Sequence, residues 1–284
     1  MTYIEAYDAT NAFMQICDNL CNYGVTYECR GSQKVVELDN VIVEIKQPRA
    51  RLVSCKERNM PVKNSKREFI WYMTHNNEVK HIAKYMKMWG FCSDDNVHVN
   101  SNYGTIWHKP LPHIIERLKH AKESNEIDRR CVLSIYDNSY ATYNGKDMPC
   151  TLAVTFSLRN NVLDMTVMMR SNDVVTGFCI DVFTWTCLQE LIANELGVQM
   201  GKYTHLANSM HMYEKHWDSL LKHKTDFTID DEKELQNANA GISHDTTYSN
   251  FWTKLDSYFC SDDKEWSEWL STMKQETKMS ISMM

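Results

Sequence analysis

The chain has 284 residues, 43% of them hydrophobic, so it can bury a sizeable core in one large domain or two small ones. Its 31 basic and 37 acidic residues leave a net charge of −6, which argues against the basic footprint of a general nucleic-acid binder. That balance still allows a small anionic ligand held by a few local arginines.

Residues 5–23 predict an amphipathic helix, with Phe13, Ile16, Cys17 and Leu20 on one face and Gly24 as its stop. Residues 34–45, KVVELDNVIVEI, predict a strand pair around Asp39-Asn40. Residues 66–88 predict a helix with Phe69, Ile70, Tyr72 and Met73 in the core. Residues 151–158 alternate, with Leu152, Val154, Phe156 and Leu158 on one side. Asn160-Asn161 and a second apolar run, Val162 to Met169, complete a hairpin signal. Residues 182–196 predict a buried helix closed by Gly197. Strands and helices do not alternate strictly, so the expected class is α+β rather than a doubly wound sheet. Beyond about residue 224 the chain turns polar, with Trp252, Trp266 and Trp269 spread among charges. The expected division is a main domain over 1–224 and a C-terminal helical extension over 225–284, either a lid or a layer on the same domain.

Ten cysteines stand at 17, 21, 29, 55, 92, 131, 150, 179, 187 and 260. None forms a C-x-x-C pair, so neither a zinc ribbon nor a thioredoxin-type motif is expected, and no metal site is assigned. The opening MTYIEAYDAT lacks a basic segment and does not read as a signal peptide. No run reaches the ~18 apolar residues of a membrane span. A reducing cytoplasm with free thiols is the expected setting.

Cys150 follows Pro149 at the mouth of the hairpin's first strand, where a cysteine commonly fills core. Arg170 ends the returning strand and is placed across from it, where a guanidinium favours a nucleophilic thiolate. Arg129-Arg130 before CVLSIY is either a solvated charge pair or a phosphate clamp, since guanidinium matches phosphate oxygens bidentately. His211 and Tyr213, two apart, share one face of an extended segment and suit a sugar hydroxyl.

These stretches occur in the order of a known family. REFIWYM at 67–73, VNSNYGTIW at 99–107, DRR at 128–130, MPCT at 148–151, RSND at 170–173 and HMY at 211–213 resemble motifs of the thymidylate synthase family, most nearly its phage deoxycytidylate hydroxymethylase branch. The resemblance covers roughly residues 28 to 218. It implies a thymidylate synthase-like mixed sheet flanked by helices, and Cys150, Glu68 and Asp181 as catalytic residues. It implies that Arg30, Tyr103, Arg129, Arg130, Arg170, Ser171, Asn172, His211 and Tyr213 bind a nucleotide. Asp173 and Trp89 would face the pterin of 5,10-methylenetetrahydrofolate, although Trp89 also reads as plain core. It implies a homodimer in which Arg129 and Arg130 reach the partner's phosphate, and a phage enzyme working in its host's cytoplasm.

Two departures bear on chemistry. Thr151 follows the cysteine where synthases place histidine, and Asp181 stands where they place asparagine. The C-terminal KMSISMM has no clear counterpart of the synthase tail that closes over folate. An amide suits uracil, whereas cytosine offers an amino donor at position 4 and an acceptor at N3. A carboxyl matches that pattern only when one proton is shared between acid and ring, so a raised Asp181 pKa is expected. The expected reaction is one-carbon transfer to C5 of dCMP through a Cys150–C6 bond, with water as final nucleophile. The alternatives are a synthase or hydroxymethylase acting on dUMP, and an inactive homologue that only binds.

Overall fold

The computed structural model describes residues 1–221, 226–255 and 264–282, and the side chains of 275–282 lie outside that description. The chain opens with β1 (Thr2–Ala6), α1 (Ala9–Tyr23), β2 (Val25–Cys29) and β3 (Gln33–Ile45). Helices α2 (Val62–Met73), α3 (Val79–Ala83), α4 (Lys87–Cys92), α5 (Tyr103–Trp107) and α6 (Pro110–Ser124) follow. Then come β4 (Val132–Ser134), β5 (Thr151–Arg159), β6 (Val162–Met169), β7 (Asn172–Asp173), α7 (Cys179–Leu196) and β8 (Gln199–Tyr213). The later helices are α8 (Trp217–Leu220), α9 (Asp231–Ala238), α10 (Phe251–Lys254) and α11 (Lys264–Ser282).

The strands form one mixed sheet in the order β1-β3-β8-β6-β5-β4, with β2 added to β3 and β7 to β8. The α+β expectation holds. At the hairpin, Asn160 and Asn161 both have positive φ, 51° and 58°, as a type I′ turn requires. The strand pair expected at 34–45 is instead one strand that passes through Asp39-Asn40, with Asn40 at φ 49°. The cause is its neighbour: β8 pairs with β3 from Val35↔Tyr213 to Ile45↔Tyr203, so unbroken pairing outweighs a local turn signal. On its other edge β3 takes β2 along its first half and β1 along its second.

The helix expected over 66–88 is three helices. The chain leaves α2 after Met73, and His75 adopts φ 55°, which no helix accommodates. Phe69, Ile70, Tyr72 and Met73 are buried as expected. Helix α7 is buried on nearly all sides, and Gly197 ends it in the left-handed conformation. Val174–Leu196 is long and apolar enough to cross a membrane, contrary to the reading that no such run exists, yet 83% of its window is buried inside the protein. It is the central helix of the core.

The boundary expected at 224 falls on residues 222–225, and Cys260, Met283 and Met284 likewise lie outside the described residues. Past that point the chain packs on the body. Asn237 accepts from the Leu52 amide at 3.0 Å and donates to its carbonyl at 3.1 Å. Phe251 sets its ring edge on Phe69, and Trp266 sets its own on Tyr85. Arg51, which from sequence could be a surface charge, is fully buried and pairs with buried Glu190.

Candidate active site

The β5–β6 hairpin carries the thiol. Thr151 and Met169 form its last pair, so Cys150 and Arg170 emerge side by side, and the Arg170 amide donates to the Cys150 carbonyl at 2.9 Å. The guanidinium turns back on the same loop: Nε donates to the Pro149 carbonyl at 3.0 Å and a terminal nitrogen to that of Met148 at 3.2 Å. Burial pushes the Cys150 thiol above its ordinary value, the Arg170 charge pulls it back, and Asp181 adds a smaller upward push.

Two of the carboxyls that share the cleft with Cys150, Glu68 and Asp181, are deeply buried. Glu68 on α2 is 4% exposed, and accepts from the Tyr72 hydroxyl at 2.8 Å and the Trp89 indole N–H at 3.2 Å. Burial raises its pKa to about 7 despite those two donors. Gly104 lets α5 press against α2 here, since a Cβ at that position would lie 1.8 Å from the Tyr72 carbonyl. Asp181, in the first turn of α7, accepts from the Asn172 amide at 2.7 Å. Its pKa rises to about 8, mainly through burial, with the Asn172 bond opposing and the charges of Glu68 and Asp173 adding to it. The raised pKa expected of this carboxyl is present, and it favours the protonated form at neutral pH.

These groups line a cleft of about 710 Å³, within the range of ~300–1,000 Å³ common for small-molecule sites. Tyr103, Ser171, Asn172, Asp173, His211, Tyr213 and Trp89 line it too. His211 and Tyr213 meet edge to face with centroids 5.1 Å apart, and burial lowers the His211 pKa, keeping the ring neutral. Asp173 caps the π-helical turn Val174–Phe178, accepting from the Val175 and Thr176 amides at 3.1 Å each. Trp89 is core and site at once: it is 7% exposed, and its N–H reaches Glu68.

None of the four expected arginines lines the cleft: Arg170 is turned onto the Pro149 and Met148 carbonyls instead. Arg30 is exposed in the turn between β2 and β3. Arg129 and Arg130 are exposed before β4, and Arg130 is folded onto Asp128. Sequence reading missed Tyr72 as the partner of Glu68, though four-residue spacing on one helix was its signal. It also missed Lys34 and Lys215 at the cleft wall, which lie far apart in the chain and carry no motif.

The family model described as thymidylate synthase matches residues 11–252. The chain belongs to the thymidylate synthase family. Curated relatives include two proteins named deoxyuridylate hydroxymethyltransferase. That of Bacillus phage SP01 is 30% identical over 218 residues, 72% of this chain and 57% of the relative. That of Pseudomonas phage M6 is 29% identical over 223 residues, 76% of this chain and 62% of the relative. The thymidylate synthase of Streptococcus pyogenes serotype M5 (strain Manfredo) is 26% identical over 171 residues, 57% of this chain and 60% of that protein. Against these three relatives, the chain spans 57 to 62% of their length.

Proposed function

We propose that this thymidylate synthase family member is a dCMP 5-hydroxymethyltransferase that draws its one-carbon unit from 5,10-methylenetetrahydrofolate. The observation that carries the base assignment is Asp181: a cleft-lining carboxyl with its pKa raised to about 8, at the position where synthases have an amide. Protonated, it donates to N3 of cytosine and accepts from the 4-amino group.

The Cys150 thiolate adds to C6 of the ring, and the C5–C6 double-bond electrons move to C5 and into the ring. Asp181 holds a proton at N3, where negative charge develops. Glu68, half-ionised near neutral pH, takes the C5 hydrogen through ordered water. With the methylene carbon carried from folate to C5 and tetrahydrofolate released as the leaving amine, loss of that hydrogen would leave an exocyclic methylene on C5. Water adds to it and gives up a proton, and Cys150 then leaves C6 as a thiolate while the C5–C6 double bond re-forms. Ser171 and Arg170, with Arg129 and Arg130 from a second subunit, hold the 5′-phosphate, and Arg30 closes on it. His211 and Tyr213 hold the 3′-hydroxyl, Tyr103 walls the nucleotide pocket, and Asn172 borders the base.

The cleft fits a folate beside the nucleotide. Met88, Trp89 and Ile180 give it an apolar wall for a flat ring, and Asp173 lies on its lining as a polar partner. Bound there, methylenetetrahydrofolate would supply the methylene carbon. The second reading is the same reaction on dUMP, favoured by the names of the two phage relatives. Tritium release from C5 with both nucleotides in competition separates them. The wild type should prefer dCMP, and Asp181→Asn should lose most of that activity and gain some on dUMP. An unmoved preference would refute the base assignment.

A further inference from the structure

Asn172 begins β7, whose backbone is tied to β8 by the pairs Asn172↔Met210 and Asp173↔His211. Its side chain is 3% exposed, donates to Asp181 Oδ2 at 2.7 Å, and leaves its own Oδ1 buried without a partner. An unsatisfied buried acceptor is a cost, and such costs concentrate at functional sites. Gly177 makes room for the amide: a Cβ there would stand 2.9 Å from Asn172 Nδ2.

A protonated carboxyl on its own does not choose between the two bases. With the proton on the oxygen facing N3, it donates to N3 and accepts from the amino group of cytosine. With the proton on the other oxygen, it donates to O4 and accepts from N3–H of uracil. We propose that Asn172 is the positioning residue that makes this choice: its N–H occupies a lone pair of Oδ2, so the proton resides on Oδ1 and the acid reads cytosine. Oδ2 keeps a second lone pair for the exocyclic amine. This rests on Asp181 as the reader of the base.

The bond also has a titration signature. Groups acting on Asp181 are Glu68 from α2 and Asp173 from β7, both of which raise it. Tyr72, Tyr103, Cys150 and Tyr203 are further titratable neighbours. Against these, the Asn172 N–H stabilises the carboxylate.

The test is Asn172→Ala, with Gly177→Ala as a second variant that displaces the amide without deleting it. Two quantities are read in each: the dCMP to dUMP ratio of kcat/KM, and the pH at which dCMP binding falls off. The ratio should drop about tenfold, the scale of losing one hydrogen bond, with dUMP turnover rising. The binding midpoint should move up, because the carboxylate loses its donor. A midpoint that stays or moves down, or a ratio that stays, overturns the proposal in whichever variant folds. Asp181→Asn in the same assays keeps the two claims apart. If it shifts the ratio and Asn172→Ala does not, Asn172 alone is misassigned. If Asp181→Asn leaves the ratio unmoved, the base reader itself is wrong.

Discussion

Arg170 and Cys150 are joined backbone to backbone, amide to carbonyl at 2.9 Å, while the Arg170 guanidinium holds the carbonyls of Pro149 and Met148. One side chain thus fixes the loop that presents the thiol and lowers the thiol's pKa against the effect of burial. Arg170→Ala should raise the Cys150 pKa further. Alkylation of Cys150 by iodoacetamide across pH would then show its midpoint displaced upward and its rate at pH 7 reduced. Arg170→Lys should recover part of the charge effect but not the two-carbonyl clamp, because an ammonium lacks the planar fork.

Glu68 offers a second check. Its two donors, Tyr72 and Trp89, both stabilise the carboxylate. Tyr72→Phe removes one donor with little change of volume. The limb of the kcat–pH profile that disappears in Glu68→Gln should therefore move up from about 7, with KM for the nucleotide changing less than kcat. A limb that stays in place would separate Glu68 from the proton transfer it is assigned.

Asp181 also bears on stability. Its folded pKa, about 8, lies above the ordinary 3.8, so the folded state binds a proton that the unfolded chain has lost between those values. The raised pKa favours folding fully only below about 4, and this advantage is lost as pH rises toward 8. Asp181→Asn should thus melt higher than the wild type at pH 9, by about 3 °C or more for a chain of this size, and the gap should close toward pH 4. Thermal unfolding across that range measures it.

Local patterns carried well where one element decides its own shape. The hairpin was legible because Asn160-Asn161 accept the positive φ that its turn demands. Helix α7 was legible from its apolar run and Gly197. The unbroken β3 was not, because β8, more than 150 residues away in the chain, decides it. Of the site, Cys150, Glu68, Asp181, His211 and Tyr213 were singled out through the motifs and their spacing, and one cleft gathers them. Tyr72's grip on Glu68 is local, a four-residue spacing on α2 that no motif marks, whereas Asn172's on Asp181 depends on tertiary approach. Arg51 shows the same limit from the other side, since it lies in the core paired with buried Glu190, distant in the chain.

The most direct measurement of the central claim is identification of the product formed from dCMP and 5,10-methylenetetrahydrofolate, by mass spectrometry and proton NMR. The account expects 5-hydroxymethyl-dCMP, formed by the wild type and absent with Cys150→Ser. A methylated product, or turnover of dUMP with none of dCMP, would contradict it.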